Sequence, residues 1–124
     1  MLNVWGTFCP PCIREMPDLA KLNEANKSKG LRVVGIPIDI LDQMGNVLPK
    51  KKATADEIIS ATGANYPHIL PNYGMLSTFL HNIQAVPATI FVDSEGNQLG
   101  QMYLGARSEK DWQKIIDKLL KDAN

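Results

Sequence analysis

Residues 5–12 read WGTFCPPC, so that a strand-like run meets two cysteines separated by two prolines. Proline has no backbone N–H and fixes φ near −65°, which suits the first turn of a helix and little else in a helix. Pro10 and Pro11 therefore predict that a helix begins at the cysteines. The chain has to pass from a strand at 2–5 into this helix within a few residues.

The predicted first helix is followed by a buried strand. Its apolar face is formed by Ile13, Met16, Leu19, Ala20 and Leu22, and Gly30 is a stop signal. The run 31–38 is short, nearly continuous in apolar residues and rich in β-branched ones, which is typical of a strand buried on both faces of a sheet. Pro37 indicates that the end of this strand lies near a sheet edge or a bulge.

The middle of the chain predicts shorter elements. Residues 39–52 are interpreted as a loop in which Lys50, Lys51 and Lys52 form a solvated face. Thr54 and Glu57 have capping-box spacing, which predicts a short helix that ends at Gly63. We expect a brief extended segment at 66–70 and a turn at 71–74. The next helix is predicted from the apolar positions Met75, Leu76, Phe79, Leu80 and Ile83.

The last third predicts a strand at 85–93, a hairpin connection at 94–97, a return strand at 98–104 and a final helix. Ser108 and Asp111 signal the start of that helix, and its apolar stripe is Trp112, Ile115, Ile116, Leu119 and Leu120. Strands and helices in this order predict an α/β fold. We expect one domain over residues 1–124, with helices on both faces of a mixed central sheet.

Composition excludes several classes of function. Lys plus Arg and Asp plus Glu both number 13, so no net charge draws the chain to nucleic acid or to a membrane surface. No apolar run approaches the roughly 20 residues of a membrane span, and residues 1–5 have no signal-like basic region. Because the chain begins directly on a strand, we expect it to be a segment of a longer precursor.

The two cysteines are the only ones in the chain, and their spacing points to redox chemistry. A bridge between Cys9 and Cys12 closes a very small loop, so it constrains the unfolded chain little. The N-terminus of a helix favours the thiolate that exchange chemistry needs. Cys9 is therefore the predicted nucleophile, and Cys12, about one turn later, is the predicted resolving thiol that releases a mixed disulfide.

The segment from Trp5 to Cys12, with Glu15 and Pro17 downstream, resembles the active site of the TlpA/ResA-like thiol-disulfide oxidoreductases of the thioredoxin superfamily. The run Val86-Pro87-Ala88-Thr89 resembles the cis-proline loop of that superfamily, in which the residue before the proline offers its backbone to a substrate. The long interval between Asp39 and Pro87 resembles the central helix and strand insertion of the TlpA-like branch. The additional N-terminal strands usual in that branch are missing here.

The resemblance implies a thioredoxin fold and a protein-disulfide reductase that needs no organic cofactor and no metal, only a redox-active disulfide. It implies protein thiol or disulfide substrates, a redox partner protein and an extracytoplasmic bacterial location, with cytochrome c precursors among the substrates of the family. A membrane tether is expected only through an N-terminal segment that precedes this sequence. We expect the chain to be a monomer.

Other residues near the motif have two readings each. Trp5 and Phe8 either face a substrate or, for Trp5, pack beneath the site. Glu15 either tunes the thiols or is solvated. Asp39 is the nearest match to a buried acidic residue that assists proton transfer in some family members. Trp112 is interpreted as a core residue because it lies on an apolar stripe.

Two different classes of function compete with the enzyme. A zinc module would need a second ligand pair, but there is no second CxxC, and His68 and His81 are too far apart for a usual local pair. Covalent haem attachment would need a histidine at position 13, where Ile13 stands. A non-catalytic thioredoxin-fold interaction module stays open as the alternative, and thiol reactivity would separate it from the enzyme.

Overall fold

The computed structural model describes residues 1–123, except for the side chains of Tyr73 and Ala123. Its strands are β1 (Leu2–Trp5), β2 (Val34–Pro37), β3 (Ala88–Val92) and β4 (Gln98–Leu104). Its helices are α1 (Pro10–Asn26), α2 (Pro49–Thr62), α3 (Tyr73–Ser77) and α4 (Glu109–Ala123), with 3₁₀ turns at Lys27–Lys29 and Phe79–Asn82.

The strands form one mixed sheet in the order β2-β1-β3-β4, as the predicted fold class requires. β1 is central, because it pairs in parallel with β2 and antiparallel with β3. β2 is an edge strand whose last residue, Pro37, lies opposite Trp5. The position of Pro37 at the end of an edge strand confirms the expectation from its missing N–H.

Helices cover both faces of this sheet. One apolar cluster joins α1, α2 and α4 to the face that carries Trp5 and Phe91. A smaller cluster packs Leu80 of the second 3₁₀ turn against the opposite face, at Val4 and Ile36. Adjacent residues of β1 point to opposite faces, as the two-residue period of a strand requires. This packing confirms the prediction that helical elements lie on both faces of the central sheet.

The predicted start of the second helix is wrong. α2 begins at Pro49 and not at Thr54, so the lysine run lies in the first turns of a helix and not in a loop. The hydroxyl of Thr54 donates to the carbonyl oxygen of Lys50, which lies four residues earlier within the helix. The helix starts at Pro49 instead, because the fixed φ of proline already has the helical value. Gly63 ends the helix in the left-handed conformation, as expected.

The continuous helix predicted for residues 75–83 is also wrong. Asn72 caps the short helix α3 by accepting a hydrogen bond from the amide of Met75. The backbone then leaves helical geometry at Thr78, with φ −112° and ψ −111°, before the 3₁₀ turn. The Thr78 hydroxyl donates to the carbonyl oxygen of Gly74. Side-chain hydrogen bonds of this kind compete with regular helix geometry.

The brief extended segment expected at 66–70 lies along the outer edge of β2. The amide of Gly35 donates to the carbonyl oxygen of Pro67, and the amide of Ile69 donates to the carbonyl oxygen of Gly35. His68 pairs in parallel with Gly35 through an isolated bridge. The segment thereby satisfies backbone groups that an edge strand would otherwise expose.

The strand expected at 85–93 is shorter and spans Ala88–Val92, because Pro87 has no N–H to offer to the sheet. The remaining C-terminal elements follow the sequence closely. The return strand has the predicted bounds, and the carboxylate of Asp93 accepts hydrogen bonds from the amides of Glu95 and Asn97 in the hairpin connection. Ser108 caps α4 by accepting a hydrogen bond from the amide of Asp111. Among residues 1–123, no helix has the length and apolar character needed to cross a membrane.

Candidate active site

Cys9 and Cys12 form a disulfide at the N-terminus of α1, with their Cα atoms 5.3 Å apart. Cys9 is the N-cap residue, and its sulfur accepts a hydrogen bond of 3.3 Å from the backbone amide of Cys12. Cys12 is fully buried, whereas 5% of Cys9 is exposed. Because Pro10 and Pro11 have no N–H, the Cys12 amide is the backbone donor that the structure directs at the Cys9 sulfur, which lies at the end of the helix where a thiolate is favoured.

A groove of about 390 Å³ opens beside the Cys9 sulfur. Its lining contains no charged residue and consists of Phe8, Cys9, Pro10, Pro11, Ile38, Ile83, Gln84, Ala85 and Val86. The carbonyl oxygen of Val86 lies 3.7 Å from the Cys9 sulfur. The Val86–Pro87 peptide bond is cis. The structure thus brings the two motifs together, although they are 77 residues apart in the chain.

Trp5 and Phe8 lie in opposite environments. Trp5 is fully buried in the core cluster that also contains both cysteines, so its indole packs beneath the site. The reading of Trp5 as a substrate-facing residue is therefore wrong. Phe8 is 61% exposed at the rim of the groove. Of the two aromatic residues, only Phe8 is placed to touch a polypeptide bound at Cys9.

Glu15 is buried, with 3% of its surface exposed, so the reading of this residue as solvated is wrong. Its Oε2 accepts hydrogen bonds from the indole N–H of Trp112 at 2.8 Å and from the backbone amide of Arg107 at 2.9 Å. Its Oε1 accepts a hydrogen bond from the side-chain amide of Asn3 at 3.3 Å. The same Asn3 amide group donates to the hydroxyl of Thr89 at 3.1 Å. The carboxylate is thus held inside the fold by donors from Asn3, Arg107 and Trp112.

Burial raises the pKa of Glu15 above its ordinary value, because the interior disfavours the charged form. The hydrogen bonds from Arg107, Trp112 and Asn3 oppose this shift, because they stabilise the carboxylate. Glu15 lies three residues after Cys12, and both are buried on α1. Residues at that spacing share a helix face, with Cβ atoms about 5–6 Å apart. A group able to hold or take a proton therefore lies about one helical turn from the buried cysteine.

The carboxylate of Asp39 is hydrogen-bonded to the loop that leads to Cys9. This carboxylate accepts a hydrogen bond of 3.0 Å from the backbone amide of Thr7 and another from the Thr7 hydroxyl. Lys51 forms an ion pair with the same carboxylate at 3.9 Å, and half of the lysine side chain is exposed. Thr7 lies two residues before Cys9. The contacts of Asp39 are therefore with the active-site loop and with the inserted helix α2.

The two histidines lie in unlike settings. His68 stacks on Tyr66 with ring centroids 4.6 Å apart and meets the Trp5 indole edge to face at 5.7 Å. Burial lowers the pKa of His68, and its Nε2 lies 3.1 Å from the carbonyl oxygen of Ala64. His81 is exposed in the second 3₁₀ turn. Within the described part of the chain, no three His, Cys, Asp or Glu side chains converge as metal ligands would.

Sequence reasoning missed the partners of Glu15. Trp112 belongs to the apolar stripe of α4, as predicted, yet its indole N–H also holds the carboxylate. Asn3 is the one signal that was available, because a polar residue between apolar neighbours in a strand predicts a buried hydrogen bond. The Arg107 contact is made by the backbone amide, so no pattern of side chains in the sequence predicts it.

Family comparison agrees with this geometry. The family model described as Redoxin matches residues 1–119. The chain belongs to the Redoxin family. The resemblance to TlpA/ResA-like thiol-disulfide oxidoreductases that the motifs indicated is confirmed. This redoxin is 24% identical over 122 residues to the thiol-disulfide oxidoreductase ResA of Halalkalibacterium halodurans, and the match covers 98% of the chain. The redoxin chain spans 62% of the length of that ResA.

Solved structures resemble this redoxin over nearly its whole length. A crystal structure of a thiol:disulfide interchange protein of the thioredoxin family from Chlorobium tepidum TLS matches with a TM-score of 0.75 and 25% identity. That match covers 96% of this chain and 77% of the other. A secreted thiol-disulfide isomerase from Corynebacterium glutamicum matches with a TM-score of 0.73 and 26% identity, covering 97% of this chain and 69% of the other. These similarities confirm the thioredoxin fold.

Proposed function

We propose that this redoxin is a thiol-disulfide oxidoreductase that exchanges disulfides with protein substrates through Cys9 and Cys12. The observation that carries the proposal is the Cys9–Cys12 disulfide, with Cys9 at the open groove and Cys12 buried behind it. The named relatives, which include ResA, support the same chemistry. A structural role for the disulfide is a poor alternative, because it closes a loop of only a few residues.

The proposed reaction has two balanced steps. In the reduced protein, the Cys9 thiolate attacks a substrate disulfide, so that a Cys9–substrate disulfide forms and one substrate thiolate leaves. Cys12 then loses its proton and attacks the Cys9 sulfur, which releases the second substrate thiolate and forms the Cys9–Cys12 disulfide. Two electrons pass to the substrate. No metal or organic cofactor is needed for either step.

The supporting residues have proposed roles that follow from their positions. Val86 presents its carbonyl oxygen beside the Cys9 sulfur, and Pro87 holds the turn that places it there. Phe8 borders the groove. Pro10 and Pro11 stiffen the first turn that carries Cys9. Glu15 is placed to receive the Cys12 proton, and Asp39 holds the active-site loop through Thr7.

We also propose the direction and setting of the reaction. Reduction of protein disulfides is the proposed direction, with electrons supplied by a partner redox protein. An extracytoplasmic location is supported by the secreted isomerase among the structural relatives. Cytochrome c precursors are proposed as substrates on the family resemblance. The proposed working unit is a monomer, tethered to a membrane only if a preceding segment provides the anchor.

The deciding experiment is a redox equilibrium. The protein is incubated in graded glutathione buffers, free thiols are alkylated, and the modified cysteines are counted by mass. The proposal predicts a reversible two-electron transition in which both cysteines change together. A midpoint near the reducing end of the known range, about −270 mV, supports the reductase, and one near about −120 mV overturns that direction. If Cys9 and Cys12 do not change reversibly between dithiol and disulfide, the enzymatic function is overturned and the non-catalytic interaction module is favoured.

A trapping experiment tests the assignment of the two thiols. Cys12→Ser is expected to accumulate mixed disulfides with substrate proteins, because the resolving step is lost. Cys9→Ser is expected to abolish exchange and to trap nothing. The two variants remove the same disulfide, so they are matched controls for stability. Equal trapping by both variants would refute the assignment of Cys9 as the nucleophile.

A further inference from the structure

Two hydrogen-bond donors converge on a single oxygen of Glu15. The indole N–H of Trp112 and the backbone N–H of Arg107 both point at Oε2, at 2.8 and 2.9 Å. Trp112 is fully buried, so no water competes for its N–H. An indole or amide N–H only donates, and therefore neither group accepts the proton of a carboxylic acid. The arrangement fits the charged carboxylate and leaves a proton on Oε2 without an acceptor.

The Trp112 ring is held in place from several directions. The guanidinium of Arg107 lies over the ring at 5.2 Å and over the neighbouring Tyr103 ring at 5.0 Å. Tyr103 and Phe91 contact the indole with ring centroids 5.7 and 6.1 Å away. Rigid packing of this kind fixes the N–H direction, which is what a preorganised donor requires.

The same segment also reaches the loop beside Cys9. The amide of Gly105 donates to the carbonyl oxygen of Pro87 at 2.9 Å, two residues before the Arg107 amide that contacts Glu15. Residues 105–107 therefore connect the buried carboxylate to the groove side of the site. The position of Glu15 one helical turn after Cys12 completes the link to the thiols.

We propose that Trp112 is a positioning residue of disulfide exchange, whose indole N–H, together with the Arg107 amide, stabilises the carboxylate form of Glu15 against the effect of burial, so that this form can accept the Cys12 proton. The inference rests on the proposed function for the exchange itself. The Cys12 proton passes to the Glu15 carboxylate, the new thiolate attacks the Cys9 sulfur, and the substrate leaves as a thiolate. Glu15 then returns the proton to the substrate thiolate or to solvent.

The direct test is a titration of Glu15 by carboxyl ¹³C NMR in the oxidised protein. Trp112→Phe keeps an aromatic ring and removes the N–H, so the acid dissociation constant of Glu15 is expected to fall about tenfold, and its pKa to rise. Phe91→Leu is the matched control, because it disturbs the same aromatic cluster and removes no donor to Glu15. An equal rise of the Glu15 pKa in both variants would overturn the proposal.

A second measurement needs no substitution at position 112. In the unmodified protein the indole ¹H–¹⁵N resonance of Trp112 is expected to titrate with the same midpoint as the Glu15 carboxyl. Glu15→Gln is expected to abolish that titration. An indole resonance that stays constant while Glu15 titrates overturns the proposal, even if Trp112→Phe fails to fold.

The catalytic readout is the pH dependence of the resolving step. Cys9 is loaded with glutathione as a mixed disulfide, and its release is followed over a pH series. Trp112→Phe is expected to move the profile to higher pH, and the move is expected to vanish in the Glu15→Gln background. A profile that moves equally in both backgrounds contradicts the proposal. If the Trp112 indole and the Glu15 carboxyl titrate together but the protein exchanges no disulfide, the proposed function is refuted. The effect of the Trp112 hydrogen bond on Glu15 then still stands.

Discussion

The imidazole of His68 occupies the space in which a side chain at Gly35 would lie. A Cβ atom at Gly35 would come 2.2 Å from the His68 Nδ1 and 3.1 Å from the Trp5 Nε1. The inserted segment therefore packs its histidine directly onto the edge strand β2 and against the tryptophan beneath the active site. The contact of His68 with Trp5 also ties the insertion to β1, the strand that leads into the cysteines.

Gly35→Ala is accordingly expected to destabilise the protein by about 1–3 kcal/mol, because the new methyl group displaces a packed ring. Urea unfolding measures the change. His68→Ala is expected to lower stability by itself and to cancel most of the added cost of Gly35→Ala. Additive effects of the two substitutions would contradict a steric cause, since residues that share a contact deviate from additivity.

Asp39 and Lys51 form an ion pair in which the two partners are expected to contribute very differently. Asp39→Ala removes two hydrogen bonds to Thr7 and is expected to cost about 1–3 kcal/mol. Lys51→Ala removes only a half-exposed ion pair, worth about 0–1 kcal/mol in water. Chemical denaturation of both variants checks the difference, and a larger loss from Lys51→Ala would argue against the loop-bracing role of Asp39.

Glu15 is expected to make stability fall as the pH rises. Burial raises its pKa above the ordinary value of 4.5, so at intermediate pH the folded protein binds more protons than the unfolded chain. The stability of the wild type relative to Glu15→Gln should be greatest below pH 4.5 and decline as the pH passes through the raised pKa. Urea unfolding of both proteins from about pH 4 to about pH 8 measures this difference. A difference that grows with pH would contradict the assigned direction.

Phe8 is expected to affect substrate binding without affecting the fold. Its ring is 61% exposed at the rim of the groove, so Phe8→Ala removes apolar surface that a bound polypeptide would cover. The expected loss is about five- to tenfold in kcat/KM for protein disulfides, equivalent to about 1 kcal/mol of apolar burial. Met44→Ala is the matched control, because Met44 is 85% exposed and does not line the groove. Unchanged kinetics in Phe8→Ala would remove this residue from the substrate surface.

Local signals in the sequence were sufficient for the elements that depend on local interactions. The prolines after Cys9 predicted the start of α1, and the turn residues after Asp93 predicted the hairpin. Ser108 predicted the start of α4. Each of these signals acts between residues a few positions apart, so it can be recognised from the sequence without knowledge of the fold. α2 and α3 were predicted less well, because competing start signals and a local break decided their bounds.

The sequence by itself determined the CxxC pair, its position at a helix start and the order of strands and helices around it. Only the tertiary structure decided what surrounds the pair. Glu15 meets the Arg107 amide and the Trp112 indole across 92 and 97 residues, and the Val86 carbonyl oxygen meets Cys9 across 77. Such contacts arise when the sheet closes and its faces are covered, because burial then selects which polar groups must pair. The Val86 contact was indicated beforehand only by the resemblance of that run to the cis-proline loop, and no local pattern gives the contacts of Glu15 with Arg107 and Trp112.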